Sequence, residues 1–306
     1  MRTMTAGVFL LWLAPAAAFA PAPGGAALRP RGAALQAASF TGDRVDALLK
    51  TNRARVDALA KVADVDELTR LRFALAFPVA AECDKALKDL VTWRGGAGKA
   101  IVTSAAAAVA LATADGGWDN APVAAAAPHA ALVNKFITSR AILTLSTSDS
   151  DLLYVIRASQ IDDKKMMDAV AVPQLVDFFL YVKEVHSLVA NARSVQTGRL
   201  CGVVFANDIS GIRAPPDSRF SKALSASSAQ YEQLYPAMAG QTLIVNLPFI
   251  LQAFVGLIKP LFPKSVQARL VFKPAPILAK LKDLTPLTTD MALKKSFLAE
   301  IEKLLR

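Results

Sequence analysis

The spacing of hydrophobic residues changes near residue 140 of this chain. From Asp43 to about Leu90, apolar residues recur every three or four positions between charged ones, which is typical of amphipathic helices. Beyond residue 140, short apolar runs rich in β-branched residues alternate with helical stretches. We therefore expect helices first and an α/β region after them.

Five apolar runs in the second region are interpreted as strands, and they cover 141–145, 152–156, 202–209, 242–245 and 270–272. A Ser-Thr-Ser-Asp turn joins the first two, which fits an antiparallel hairpin or two neighbouring strands. Helices are predicted at 175–188, 220–234 and 290–305. Continuous apolar strands that alternate with helices favour a parallel arrangement. The expected fold class is α/β, with an N-terminal helical lobe followed by a mixed, mostly parallel β-sheet with covering helices.

Residues 1–42 have the composition of a targeting sequence. Arg2 precedes a short apolar stretch at 7–18 that ends in three alanines, which is the pattern of a signal peptide over residues 1–18. Residues 19–42 contain arginine and no acidic residue, which is typical of a transit peptide. The junction Ala18-Phe19-Ala20-Pro21 resembles the bipartite targeting sequences of algae whose plastids are reached through the endomembrane system. We expect a plastid location, in the stroma or peripherally on a membrane, and the secretory pathway is the alternative.

The charge balance favours an anionic partner. The 306 residues include 35 Lys and Arg against 25 Asp and Glu, which gives a net charge of +10. No run of basic and aromatic residues typical of RNA-binding proteins accompanies this charge. An anionic membrane surface is therefore the expected partner, and nucleic acid is not.

Metal and nucleotide sites are not expected. Cys83 and Cys201 lie far apart without metal-ligand spacing, and they are interpreted as small core residues. Neither His129 nor His186 has a partner at HExxH or HxH spacing. The glycine cluster at 95–99 lacks the spacing of a phosphate-binding loop.

Short motifs follow one another along the chain. They are Leu71-Arg72-Phe73, Cys83-Asp84-Lys85-Ala86, Trp93-Arg94, Val203-Val204-Phe205, Asp208-Ile209-Ser210-Gly211, Tyr235-Pro236, the segment from Ile244 to Phe249, Lys259-Pro260 and Arg269-Leu270. In this order and at this spacing they resemble the CRAL-TRIO lipid-binding family of the yeast phosphatidylinositol-transfer-protein type, over roughly 65–273. The resemblance implies a helical lobe with an Ala-rich connector at 43–134 and a lipid-binding lobe with a C-terminal helix at 135–306.

The resemblance also implies that the sheet encloses a lipid pocket closed by a mobile helix. Residues 249–262, which we call the predicted gate, are apolar on nearly every side, so they should be buried or face lipid. They are too few to cross a bilayer. Binding of a hydrophobic lipid and its transfer between membranes is the implied function, and a bound lipid is the only cofactor-like group expected.

The residues expected to bind the lipid are Val155, Phe178, Phe179, Phe205, Tyr231, Ile244, Phe249, Phe254, Val255, Ile258 and Arg269. Those expected to face an anionic membrane are Lys259, Lys264 and Lys273. Family members that bind phosphatidylinositol carry three charged residues, and at the matching positions this chain has Leu75, Ala237 and Arg269. The ligand class therefore stays open among phospholipids, galactolipids and isoprenoid lipids.

An enzyme is not expected, because the chain has no GxSxG motif and its two histidines show no catalytic arrangement. A lipid hydrolase is accordingly the less favoured alternative. A protein-interaction or regulatory module that uses the same fold without carrying lipid is the other. The protein is expected to be a monomer.

Overall fold

The computed structural model describes residues 41–114, 118–138, 141–146, 150–209, 211, 216–245 and 270–273. Residues 1–40 of the predicted targeting sequence, the predicted gate and the predicted closing helix at 290–305 lie outside these ranges. The same holds for seven of the predicted site residues, which are Phe249, Phe254, Val255, Ile258, Lys259, Lys264 and Arg269.

Six helices precede the sheet in the described residues. They are α1 (Val45–Leu59), α2 (Glu67–Ala76), α3 (Ala80–Gly95), α4 (Lys99–Ala112), α5 (Asn120–Ala126) and α6 (Ala130–Val133). Helix α2 begins at the acidic cluster that predicts a helix start, since the Asp66 carboxylate accepts a hydrogen bond from the Thr69 backbone N–H at 2.8 Å. The predicted helical character of this region is confirmed.

The glycine cluster between α3 and α4 has a packing role. A Cβ atom on Gly98 would lie 2.4 Å from the Trp93 ring, so only glycine lets that ring rest against the backbone. Glycine at position 98 is therefore explained by the close approach of Trp93.

The sheet has five strands in the order β1-β2-β3-β4-β5. They are β1 (Ile142–Ser146), β2 (Leu152–Arg157), β3 (Val203–Asp208), β4 (Ala239–Val245) and β5 (Leu270–Lys273). Strands β1 and β2 are antiparallel, and each following strand is parallel to the one before it. The predicted α/β class, the mixed and mostly parallel sheet and the antiparallel hairpin are all confirmed.

Two long helices connect the central strands and cover one face of the sheet. The connecting elements are a short 3-10 turn at Ala158–Gln160 and the helices α7 (Asp163–Ala169), α8 (Val172–Thr197) and α9 (Ser218–Leu234). Crossovers between parallel strands are right-handed, so β2-α8-β3 and β3-α9-β4 place both helices on the same face. Helices α8 and α9 also pack against each other, and α8 packs against α4 on another side.

Helix α8 is longer than the predicted helix at 175–188. It begins after Ala171, whose backbone N–H donates to Gln174 Oε1 at 2.9 Å, and it carries Pro173 in its first turn. It ends at Gly198, which adopts a left-handed conformation with φ 67° and donates its N–H to the Ser194 carbonyl. The final turns are rich in polar residues, so the spacing of hydrophobic residues does not predict that the helix continues to Thr197.

One hydrophobic core runs through the helices and the sheet. It includes buried residues of α1 to α4, of β2 and β3, and of α8 and α9. Arg72, in the Leu71-Arg72-Phe73 motif, is buried and donates to Asn191 Oδ1 and to the carbonyls of Cys201 and Ala237 at 2.7–2.8 Å. This core contains residues from both sides of residue 134. The lobe boundary predicted at that residue stays a prediction.

The predicted core placement of both cysteines is confirmed, since Cys83 and Cys201 are buried free thiols. In the described ranges, no three His, Cys, Asp or Glu side chains are grouped so that they could hold a metal ion. No single described helix is long and apolar enough to span a membrane, although α3 and α4 meet that criterion when they are taken together across their 79° bend.

Candidate functional site

The layer between the sheet and helices α8 and α9 contains a row of aromatic side chains. Tyr154 on β2 and Phe205 on β3 are register partners, and their ring centroids lie 6.0 Å apart. The Tyr154 ring lies 5.0 Å from the His186 ring of α8, and the Phe205 ring lies 5.9 Å from the Tyr231 ring of α9. These pairs meet edge to face, which is a favourable arrangement of aromatic rings. Tyr154 and Phe205 therefore point from the helix-covered face of the sheet into this layer.

A buried lysine lies in the same layer. Lys183 precedes His186 by three residues on α8, so the two side chains are neighbours one turn apart. Its Nζ lies 5.4 Å from the centroid of the Tyr231 ring. Burial lowers the pKa of Lys183 from 10.5 to about 7, because an apolar environment disfavours the charged amine.

His186 is held in its neutral form. Burial, and then the nearby Lys183 amine, lower the pKa of His186 to about 3. One ring nitrogen, Nε2, lies 2.9 Å from Thr144 Oγ1 of β1. The imidazole is thus tied to the edge strand and offers no charge that could balance Lys183.

Glu184, the acidic residue next to Lys183 in sequence, forms hydrogen bonds with other side chains. Glu184 is completely buried, and its carboxylate accepts two contacts from Arg94 Nη2 at 3.0 and 3.1 Å and one from the Tyr235 hydroxyl at 2.7 Å. Burial, and then Glu184, raise the pKa of Tyr235 well above its ordinary value. This network joins α3, α8 and the end of α9, and it lies on a different side of α8 from Lys183 because adjacent helical residues point about 100° apart.

Three buried polar atoms in the layer have no hydrogen-bond partner in the described part of the chain. They are Lys183 Nζ, the Tyr154 hydroxyl and Asn207 Nδ2. Asn207 follows Phe205 by two residues on β3, so both side chains lie on the helix-covered face. Buried polar groups are nearly always paired in folded proteins, so three such atoms in one layer require an explanation.

The opposite face of the sheet is also apolar. Because side chains alternate along a strand, Val155 and its neighbour Ala206 point away from α8 and α9. Both are buried, yet neither belongs to the core cluster that contains Tyr154 and Phe205. Arg157 and Asp208, which are register partners, end this face with an ion pair whose N–O distance is 3.6 Å.

The predicted lipid-binding residues are divided between the two faces. Phe205 and Tyr231 are in contact, as described above. Phe178 and Phe179 meet edge to face at 5.9 Å on α8, and Phe179 shares a helical face with Lys183. Val155 lies on the other side of the sheet.

Two further predicted residues lie on strands β4 and β5. Ile244 is paired in register with Asn207 and Phe272, and Lys273 is paired with Val245. Whether any of these residues contacts a lipid stays a prediction.

Sequence reasoning missed the polar members of this layer, which are Tyr154, Lys183, His186 and Asn207. One signal was present, since Lys183-Glu184 interrupts the apolar run of the predicted helix at 175–188. A charged pair at that place is usually a solvated turn, and only the packing of α8 on several sides shows that it is buried.

The five strands and the two covering helices lie in a part of the chain that matches a protein-family model. Residues 141–287 match the model of the CRAL/TRIO domain family. The match supports the CRAL-TRIO family that the motifs predicted, and it includes all five strands, α7 to α9 and the three unpaired donors. The six N-terminal helices precede the CRAL/TRIO match.

Among solved structures, the crystal structure of Sfh5 is similar to this chain, with 13% sequence identity and a TM-score of 0.43. The similarity covers 74% of this chain and 78% of Sfh5. No curated protein matches the chain in sequence.

Proposed function

We propose that this protein binds a hydrophobic lipid and transfers it between membranes. The observation that carries the proposal is the CRAL/TRIO match over residues 141–287, because lipid binding and transfer is the function of that family. The apolar character of both sheet faces agrees with it, since a lipid guest needs an apolar wall.

The driving force for carrying a lipid is the removal of its acyl chain from water. Each buried methylene contributes ~0.8 kcal/mol, so a chain of about sixteen carbons contributes about 13 kcal/mol. Movement from a membrane into a protein pocket is close to neutral, because both surroundings are apolar. A protein can therefore load and unload such a guest without covalent chemistry.

The predicted gate is proposed to control loading. Its sequence is apolar on nearly every side, as expected for a segment that covers a lipid and moves to a membrane surface. Lys259 lies within it, Lys264 and Lys273 follow it, and each is proposed to attract anionic lipid by about 1 kcal/mol at a membrane surface. The guest is proposed to be a phospholipid, a galactolipid or an isoprenoid lipid, and the location a plastid.

A vesicle-to-vesicle transfer assay with fluorescent lipids tests this proposal. The wild-type chain should accelerate transfer, and Phe254→Asp should abolish the acceleration without changing the thermal unfolding midpoint. Leu111→Asp is the matched control, because Leu111 is an apolar residue that is 66% exposed on α4 and should leave transfer unchanged. Equal transfer by wild type and Phe254→Asp would contradict the gate, and no transfer of any lipid class by wild type would contradict the carrier function.

A further inference from the structure

Two of the three polar groups without a described partner, Lys183 and Tyr154, belong to one circuit of neighbouring side chains. The Phe205 ring contacts the rings of Tyr154 and Tyr231. The Lys183 amine lies over the Tyr231 ring, and the His186 ring contacts the Tyr154 ring. Lys183 and His186 complete the circuit as neighbours one turn apart on α8. Lys183 and Tyr154 therefore belong to the same group of neighbouring side chains.

The directions of β3 and α8 indicate that Asn207 lies near the level of Lys183. Helix α8 runs antiparallel to β2 and β3 because it connects two parallel neighbouring strands. Phe205 lies at the level of His186, because both are neighbours of Tyr154. Asn207 lies further along β3, and in the antiparallel helix the same direction leads from His186 to Lys183. The three side chains are supplied by β2, β3 and α8, so the fold brings them together from distant parts of the sequence.

Among the described residues, the groups nearest to Lys183 do not balance its charge. Glu184 is engaged by Arg94 and Tyr235, and His186 is neutral and contacts Thr144. Tyr231 presents its ring face to the amine, which provides only a cation-π contact. A buried charged amine without an anionic partner destabilises the fold. This destabilisation becomes smaller when an anion binds beside the amine.

The unpaired atoms share one chemical property, since each is a hydrogen-bond donor. An ammonium group and an amide NH2 can only donate, and a tyrosine hydroxyl donates readily to an anion. Carboxylate and phosphate oxygens only accept hydrogen bonds, and bonds between such charged acceptors and these donors are among the strongest in proteins. A neutral lipid without an acceptor group would leave the lysine charge unbalanced.

We propose that Lys183, together with Tyr154 and Asn207, binds the anionic oxygen group of the lipid guest, a carboxylate or a phosphate, between the sheet and helices α8 and α9. The inference rests on the proposed lipid-binding function and narrows the ligand to an acidic amphiphile. The aromatic rings of Phe205 and Tyr231 would accommodate the apolar part next to the head group.

Binding of a fluorescent fatty acid to the full-length, delipidated protein tests this assignment. The probes are cis-parinaric acid and its methyl ester, which share one acyl chain and differ in the charge of the head. Wild type should prefer the acid by about tenfold or more. Lys183→Met should remove this preference while it leaves the affinity for the ester unchanged, and Tyr154→Phe should reduce the preference severalfold.

The matched control is Lys222→Met, because Lys222 is an exposed lysine on α9 and should preserve the acid preference. Folding of each variant is checked by thermal unfolding, and lipid-free Lys183→Met should be at least as stable as wild type, because an apolar side chain replaces an unpaired buried amine. Fatty acid should raise the unfolding temperature of wild type more than that of Lys183→Met.

Several results would overturn the assignment. An acid-to-ester preference that Lys183→Met leaves intact would do so. Equal affinity of wild type for the charged and the uncharged probe would also do so, if it is found both with this pair and with the lysophosphatidic acid pair described next. Lysophosphatidic acid compared with its matched monoacylglycerol repeats the test for a phosphate head, and a preference for either acid supports the proposal. Acetate or inorganic phosphate that binds as tightly as the lipids would show a site for free anions and contradict it. If neither the acid nor the ester binds to wild type, the proposed lipid-binding function itself fails.

Discussion

Lys183 is an amine buried among aromatic rings, and its protonation should affect the stability of the lipid-free protein. Its pKa is lowered in the folded state from 10.5 to about 7 by burial. The unfolded chain therefore binds more protons than the folded chain between these two pH values, and stability rises with pH across that window. Below about pH 7 the full destabilisation is present.

Urea unfolding of wild type and Lys183→Met at several pH values between 7 and 10.5 measures this effect. We expect Lys183→Met to be the more stable protein near pH 7 and the difference to shrink as the pH rises. The comparison isolates Lys183, because the other titrating groups are common to both proteins. Parallel stability curves for the two proteins would contradict an uncompensated amine at this position.

Arg94 is expected to stabilise the fold through Glu184. The Arg94→Met substitution would leave a completely buried carboxylate with only the Tyr235 hydroxyl as a described partner. Loss of one member of a buried pair typically costs about 3 kcal/mol or more in the free energy of unfolding. Urea denaturation measures this loss.

Arg53→Met is the control for Arg94→Met, because Arg53 pairs with Glu67 and both side chains are about half exposed. An exposed pair of this kind contributes less than about 1 kcal/mol. Similar losses from the two substitutions would contradict a structural role for the Arg94 and Glu184 pair.

The elements of the α/β region could be predicted well from the sequence, because each strand is a short apolar run bounded by polar or turn residues. Strand β4 begins three residues before the predicted strand, since Ala239-Gly240-Gln241 lacks β-branched residues. Helix α8 exceeds its prediction for a related reason, because its last turns carry polar residues. In both cases tertiary packing overrides weak local preference.

The turn between α3 and α4 provides a prediction at the level of an element. Gly98→Ala should reduce stability by about 1–3 kcal/mol, since the added methyl group collides with the Trp93 ring. Gly95→Ala is the matched control, because a Cβ at Gly95 meets nothing within 4 Å and the residue lies at the end of helix α3. It should be neutral or stabilising by up to about 1 kcal/mol. Chemical denaturation of both variants decides between a packing role and mere flexibility, and equal effects would contradict the packing role.

At the scale of the whole molecule, the sequence motifs resemble the same family whose model matches residues 141–287, but the predicted site residues are split by the sheet. Val155 and Phe205 both lie on apolar strands, and only the register between β2 and β3 reveals that they point in opposite directions. The donors Lys183, Tyr154 and Asn207 could not be grouped from the sequence, because Lys183 lies in the crossover connection that separates Tyr154 on β2 from Asn207 on β3. Long-range pairing of this kind leaves no local pattern.

The targeting prediction is tested with residues 1–42 in an alga with a plastid of the expected type. A fluorescent protein fused after residue 42 should enter the plastid, and Phe19→Ala should divert it to the secretory pathway, because the aromatic residue follows the predicted signal peptide directly. Phe40→Ala is the control, since Phe40 lies in the same segment away from that junction. Plastid entry that is unaffected by Phe19→Ala would contradict the bipartite interpretation.

The central claim is that the folded chain carries one lipid guest. Native mass spectrometry of the full-length protein, followed by extraction and identification of the bound molecule, tests it most directly. The account predicts a single amphiphile per chain, with an acidic head group, that is absent after delipidation and returns on exposure to vesicles. A chain that shows only its own mass before and after such exposure would contradict the claim.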